Sequence, residues 1–242
     1  MTGTSIESMM QIASEALARM DYLTCEDRCL EAMAMAKQAD DWSQYARILL
    51  PLQEARRQRR MIAAEGVIRL GTADSSGSPA QWLTQCRVGC VVVTQPHDAQ
   101  VAQALTREAR AQRLYVEVLW ADNTLQAAQW AITTHAGMGA RCVVPAPPRP
   151  WVDRWLEPES VQQTSDAAQA SGVHMTPADW FLDACEALGD AALARIEPAA
   201  SQLTRIDALE RCLTAVTDHE VLHQELTAAA RAMLGHACTE SA

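Results

Sequence analysis

Val88-Gly89-Cys90-Val91-Val92-Val93-Thr94 is a β-branched run that reads as a strand, and helical periodicity lies on both sides of it. A chain whose apolar period changes in this way builds a mixed fold, so the predicted class is α/β. An amphipathic helix is expected over 96–112, with Val101, Ala104, Leu105 and Ala109 on one side. A second strand follows over 114–120, a short helix over 124–134, and a third strand over 141–144, closed by the prolines of 145–150. Val67–Leu70 is a further short apolar run. Strands alternating with helices imply βαβ units, and hence a small three- to four-stranded, mainly parallel sheet.

Helical patterns flank this sheet at both ends. Ile6, Met9, Met10, Ala13, Leu17 and Met20 recur at helical spacing, and Leu23, Cys29, Leu30, Met33 and Ala36 mark a second helix over 22–38. A third pattern over 42–64 contains Pro51, which loses one backbone bond and either kinks the helix or starts a new one. Helices are also expected over 179–196, with a break at Gly189-Asp190, and over 205–216 and 218–234. The resulting division is an N-terminal helical hairpin region (1–64), a small α/β domain (65–150), a linker rich in Gln, Ser, Asp and Pro (151–178), and a C-terminal helical region (179–242). Phe occurs once, so tryptophans such as Trp82, Trp120, Trp130, Trp151, Trp155 and Trp180 are expected to fill much of the core.

Charge and composition exclude several function classes. The 242 residues carry a formal net charge of −10, which disfavours nucleic acid and anionic lipid as partners, since both reward a basic surface. No apolar run reaches membrane-spanning length. The segment 1–8 has neither the basic cluster nor the apolar stretch of a signal peptide, so the cytoplasm is expected. The eight cysteines fall mostly in apolar patterns and read as reduced, buried thiols.

The first two helices resemble a tetratricopeptide hairpin. Met9, Ile12, Ala13 and Ala16 take the family's apolar positions on one helix, and Cys25, Cys29 and Ala32 those on the next, over about 34 residues. Glu186-Ala187-Leu188-Gly189-Asp190, followed by Leu193-Ala194, resembles the turn between the helices of another such repeat, whereas Pro198 departs from the pattern. The resemblance implies a surface that binds a protein partner.

His219-Glu220-Val221-Leu222-His223 has the H-E-x-x-H pattern and is similar to the active-site helix of zincin metallopeptidases. On a helix the two imidazoles share a face and can hold one zinc, while Glu220 acts as general base towards a metal-bound water. Glu225 departs from the family's apolar preference, and His236 and Glu240 are the candidates for a third ligand.

Other clusters have structural readings beside functional ones. Arg56, Arg57, Arg59 and Arg60 form a basic cluster, either a solvated helix face or a docking site for phosphate or an acidic partner. Cys25/Cys29 and Cys86/Cys90 are spaced by four and read as core thiols rather than zinc ligands. His97 and Asp98 fall at a helix start near the carboxyl end of the strongest strand, with Asp98 as a cap. Gly137-Met138-Gly139 precedes a strand and reads as a turn, and the chain has no Walker or G-x-G-x-x-G motif. The reading is a non-enzymatic, cytoplasmic interaction or scaffold protein without a required cofactor. The alternative is a zinc-dependent hydrolase built on His219, Glu220 and His223.

Overall fold

The computed structural model describes residues 5–72, 78–126, 128–134, 139–157, 175–198 and 200–239. The chain forms two compact units, one made of 1–59 and 196–242, the other of 60–195. The two helical ends therefore belong to one body with the α/β part inserted between them, where four consecutive segments were expected.

The helical unit begins with α1 (Ile6–Ala18) and α2 (Tyr22–Gln38). Ser5 caps α1 by accepting from the Ser8 amide, and Asp21 caps α2 by accepting from the Thr24 amide. Ala13 and Ala16 on α1, with Cys25, Cys29, Ala32 and Ala36 on α2, are fully buried. Such small side chains let two helices approach closely. Ile12, one of the positions matched to the tetratricopeptide pattern, is 38% exposed. α3 (Trp42–Ala64) runs unbroken through Pro51, so the proline costs the bond to the Arg47 carbonyl without ending the helix. α3 crosses the unit boundary after Arg59. α7 (Gln202–Ala215) and α8 (Glu220–Thr239) complete the helical unit, burying Ile206, Leu209, Cys212 and Leu213 on one and Leu222, Leu226, Ala229 and Ala230 on the other.

The α/β unit holds one six-stranded sheet in the order β5-β4-β3-β2-β1-β6. Its strands are β1 (Val67–Leu70), β2 (Val88–Thr94), β3 (Tyr115–Gln126), β4 (Gln129–Thr133), β5 (Arg141–Pro145) and β6 (Trp155–Leu156). β1, β2 and β3 pair in parallel, whereas β3–β4, β4–β5 and β1–β6 pair antiparallel. The mixed class stands, but the expected three- to four-stranded, mainly parallel sheet is corrected to six strands with more antiparallel than parallel pairings. The expected helix over 124–134 is instead the end of β3 and all of β4. The expected linker begins on the last residue of a short 3-10 turn, Arg149–Trp151, and contains β6, and its residues 158–174 lie outside the described ones.

α4 (Pro79–Gln85) and α5 (Ala99–Ala111) link the parallel strands and cover one face of the sheet. Trp82, Leu83 and Cys86 pack there with Leu105 and Ala109 against Val91, Val93, Val116 and Val118. Asp98 caps α5 by accepting from the Gln100 and Val101 amides, as expected. α6 (Pro177–Leu193) packs on the sheet, with Trp180 edge-on to Trp130 of β4 at 5.6 Å between ring centroids. α6 continues through Gly189-Asp190, so the inter-helix turn expected at 186–194 is absent.

The β5 edge is blunted. Thr134 donates to the Ala140 carbonyl and Ala146 to that of Ala128, which turns the even-numbered residues of β5 towards β4 and Arg141, Val143 and Pro145 outwards. Pro145 has no amide hydrogen, and its carbonyl already accepts the Trp180 indole N–H at 2.9 Å. An incoming strand would find few groups to bond.

Candidate functional site

Two clusters separated by about 160 residues in the sequence meet in the interior of the helical unit. Glu26 lies on the buried stripe of α2, one turn beyond Leu23 and just before Cys29, and is 3% exposed. Its carboxylate accepts from Arg56 Nε at 2.9 Å and from an Arg59 guanidinium nitrogen at 2.5 Å. Arg59 also donates to the Thr217 hydroxyl at 3.0 Å. The Thr217 carbonyl lies 3.1 Å from His223 Nε2. Helical spacing turns Arg56 and Arg59 inwards together and leaves Arg57 exposed. Arg60, in the α/β unit, pairs with Glu186 at 2.5 Å. Three of the four arginines expected as a docking patch are therefore engaged within the chain.

The H-E-x-x-H residues are not arranged as its zinc-binding reading requires. α8 starts at Glu220, so His219 is the residue before the helix rather than part of its first turn. Its Nδ1 accepts from the Leu222 amide at 3.3 Å, serving as the cap. Glu220 is exposed, and its carboxylate accepts from Gln224 at 2.8 Å. His219 and His223 are both buried, at 1% and 0% exposed. No group of three His, Cys, Asp or Glu side chains converges on a metal position among the described residues. Glu240 and the side chain of His236 lie outside those residues. The residues on view do not fit a catalytic zinc, which needs three protein ligands and an open position.

His223 is held neutral. Burial, and then the positive charge of Arg56, pull it down from 6.5 to about 4. With Nε2–H donating to the Thr217 carbonyl, Nδ1 is left without a hydrogen-bond partner. The unfolded chain takes up this proton near pH 6.5 and the folded chain only near 4, so between those values the unfolded state binds more protons. Stability is complete above pH 6.5 and declines as pH falls towards 4, by about 3 kcal/mol from this residue. Urea unfolding of wild type and His223→Gln from pH 7.5 to 4 should give curves that diverge in this window. Parallel curves would show that His223 does not titrate in this way.

A groove opens beside the network. Leu30, Met33, Ala34, Lys37 and Gln38 of α2 form one wall, and Glu210, Leu213 and Thr214 of α7 another. Leu52 and Arg56 of α3 and Leu226 of α8 also line it. The volume is about 490 Å³. Met33, Leu52, Leu213 and Leu226 are buried, while Leu30 is 38% exposed. A polar bridge crosses between the walls: Lys37 Nζ reaches Asp207 at 2.6 Å and Glu210 at 2.5 Å, and the Tyr45 hydroxyl donates to Glu210 at 2.6 Å. Burial and then the Glu210 carboxylate push the Tyr45 phenol above its ordinary value.

In the α/β unit, burial disfavours the thiolate form of each cysteine. Burial raises Cys86 and Cys185 to about 12 and Cys142 to about 11. Cys86 packs on the α4/α5 face, whereas Cys90, alternating with Val91, points to the opposite one, so this pair does not converge on an ion. The sequence reading missed Glu26, Tyr45, Lys37 and Glu210. The available signal was an acid on an apolar stripe with arginines in a neighbouring helix. In comparisons with known proteins, no family model, no curated protein and no solved structure matches this chain.

Proposed function

We propose that this chain is a non-enzymatic interaction protein whose helical unit receives a short amphipathic helix of a partner protein. The observation that carries this reading is the apolar groove between α2 and α7. Its α2 wall uses residues 30, 33, 34, 37 and 38, a single helical stripe about 12 Å long at 1.5 Å per residue. That matches two turns of a guest helix presenting apolar anchors at i, i+3 or i+4, and i+7. The buried floor supplies the apolar contact, and the Lys37–Glu210 bridge offers polar groups to fix register. The ionisable groups here pair with one another, which supports binding over catalysis. The tetratricopeptide-like hairpin agrees with a protein partner, and the net charge of −10 disfavours nucleic acid. No helix among the described residues is long and apolar enough to cross a membrane.

Ala34 and Thr214 are exposed groove residues, so Ala34→Arg and Thr214→Arg obstruct the groove without opening the core. Peptides selected from a random display library on the full-length chain should carry the amphipathic pattern. Their affinity, read by fluorescence anisotropy, should fall about tenfold or more in both variants, a loss of about 1.4 kcal/mol, with circular dichroism unchanged. Selected peptides that bind the variants as tightly as wild type would remove the groove from the function. The zinc-hydrolase alternative on His219, Glu220 and His223 requires ligands beyond the described side chains, and metal analysis of the purified protein decides it.

A further inference from the structure

The carboxyl ends of β1, β2 and β3 open on one edge of the sheet, the place where open α/β sheets take ligands. β5 runs in the same direction as β3 and ends at that edge, and β6, antiparallel to β1, starts there. These are the outermost strands, so residues 146–154 cross five strand spacings, about 24 Å. Nine fully extended residues reach only about 30 Å, and three of these are coiled in the Arg149–Trp151 turn. The segment therefore passes close along the strand ends.

The strap is anchored beside β1. Trp151 is buried, Val152 bridges Leu70, and the Asp153 amide donates to the Leu70 carbonyl at 2.9 Å. The chain then reverses through Asp153, at φ 59°, into β6. The strand ends are locked as well, because Thr72 and Thr94 each donate a backbone N–H to the other's hydroxyl, at 3.1 and 3.2 Å. Arg149 and Arg154 flank the reversal and, with Asp153, line a cavity of about 410 Å³. Both arginines are exposed, and neither forms an ion pair among the described residues. Arg69 lies buried nearby, its guanidinium 4.9 Å from the Trp155 ring centroid and its Nε donating to the Gly71 carbonyl at 3.2 Å. A chain of net charge −10 thus places two exposed guanidinium groups, Arg149 and Arg154, about one notch, with the Asp153 carboxylate between them in the chain.

We propose that this notch binds a small anionic ligand carrying a phosphate or carboxylate group, gripped by Arg149 and Arg154. The guanidinium fork matches both groups in plane and spacing, and a bound anion relieves the repulsion between two cations that line one notch. Trp151 and the Thr72–Thr94 lock hold the site in place before the ligand arrives, which lowers the ordering cost of binding. The site is separate from the helical groove and independent of its reading.

Calorimetric titration of the full chain with sodium pyrophosphate, and separately with sodium citrate, at ionic strength held with sodium chloride, tests this. Saturable binding of one of them is expected, and the anion that binds tells phosphate from carboxylate. Arg149→Ala combined with Arg154→Ala should weaken it about tenfold or more, while Arg141→Ala, also an exposed arginine of this unit, leaves it unchanged. All three positions are exposed, so the variants keep the fold. No saturable binding of either anion, or an affinity that the double variant shares with wild type, overturns the proposal.

Discussion

Glu26→Gln should cost the helical unit about 3–5 kcal/mol, because it takes from two buried guanidinium groups the carboxylate to which both donate. Glu26 is 3% exposed and is the acceptor for both Arg56 and Arg59, so no water shell replaces the lost charge. The amide oxygen can still accept one hydrogen bond, but it returns none of the Coulomb energy. The urea midpoint monitored at 222 nm should fall sharply. The triple replacement Glu26→Leu, Arg56→Met, Arg59→Met removes all three charges together and should recover much of the loss, since a buried ion network often does no better than apolar packing of similar volume. A triple variant as unstable as Glu26→Gln would show that the network is held by contacts other than charge.

Gly89→Ala should be at least as damaging, and in the α/β unit. A β-carbon there would lie 1.9 Å from the Val67 carbonyl oxygen and 2.7 Å from Cys86 Sγ. Both collisions occur where β1 and β2 enter their parallel ladder, with Gly89 opposite Val67. A ladder backbone cannot move aside without breaking its register, so a loss beyond about 4 kcal/mol is expected, in the range reserved for mutations that disrupt the fold. Near-ultraviolet circular dichroism reports it, because Trp82, Trp130 and Trp180 are all buried in this unit. Gly139→Ala is the comparison. Its added carbon meets nothing within 4 Å, and only the φ of 63° is strained, so about 1–2 kcal/mol is expected. Equal losses at the two positions would mean that the close approach of β1 and β2 is not what requires glycine at position 89.

Legibility in the sequence followed how each element earns its stability. The long amphipathic helices and the run Val88–Thr94 announce themselves through period and β-branching. The stretch 124–134 does not. Trp130, Ala131 and Ile132 are buried in succession because both faces of β4 are covered, which erases the alternation that marks a strand. β6 has two residues and exists only because β1 offers it an edge. The candidate site was half legible. The arginine cluster and the His219–His223 motif were both visible, but as a surface patch and a metal motif. Their placement depends on Glu26, which carries no motif of its own.

The sequence by itself determined the alternation of helical ends with a strand-bearing middle and the capping of α5 by Asp98. These rest on local backbone preferences and composition, which neighbouring residues express without the rest of the chain. Only the tertiary structure decided that the two ends form one helical unit, that Arg56 and Arg59 turn inwards to Glu26, and that the His219 ring caps α8. Each of these depends on partners distant in the chain, as Lys37 with Asp207 and Arg59 with Thr217 show. A charged side chain reads the same in sequence whether water or a buried counter-charge solvates it, and the fold alone selects between the two.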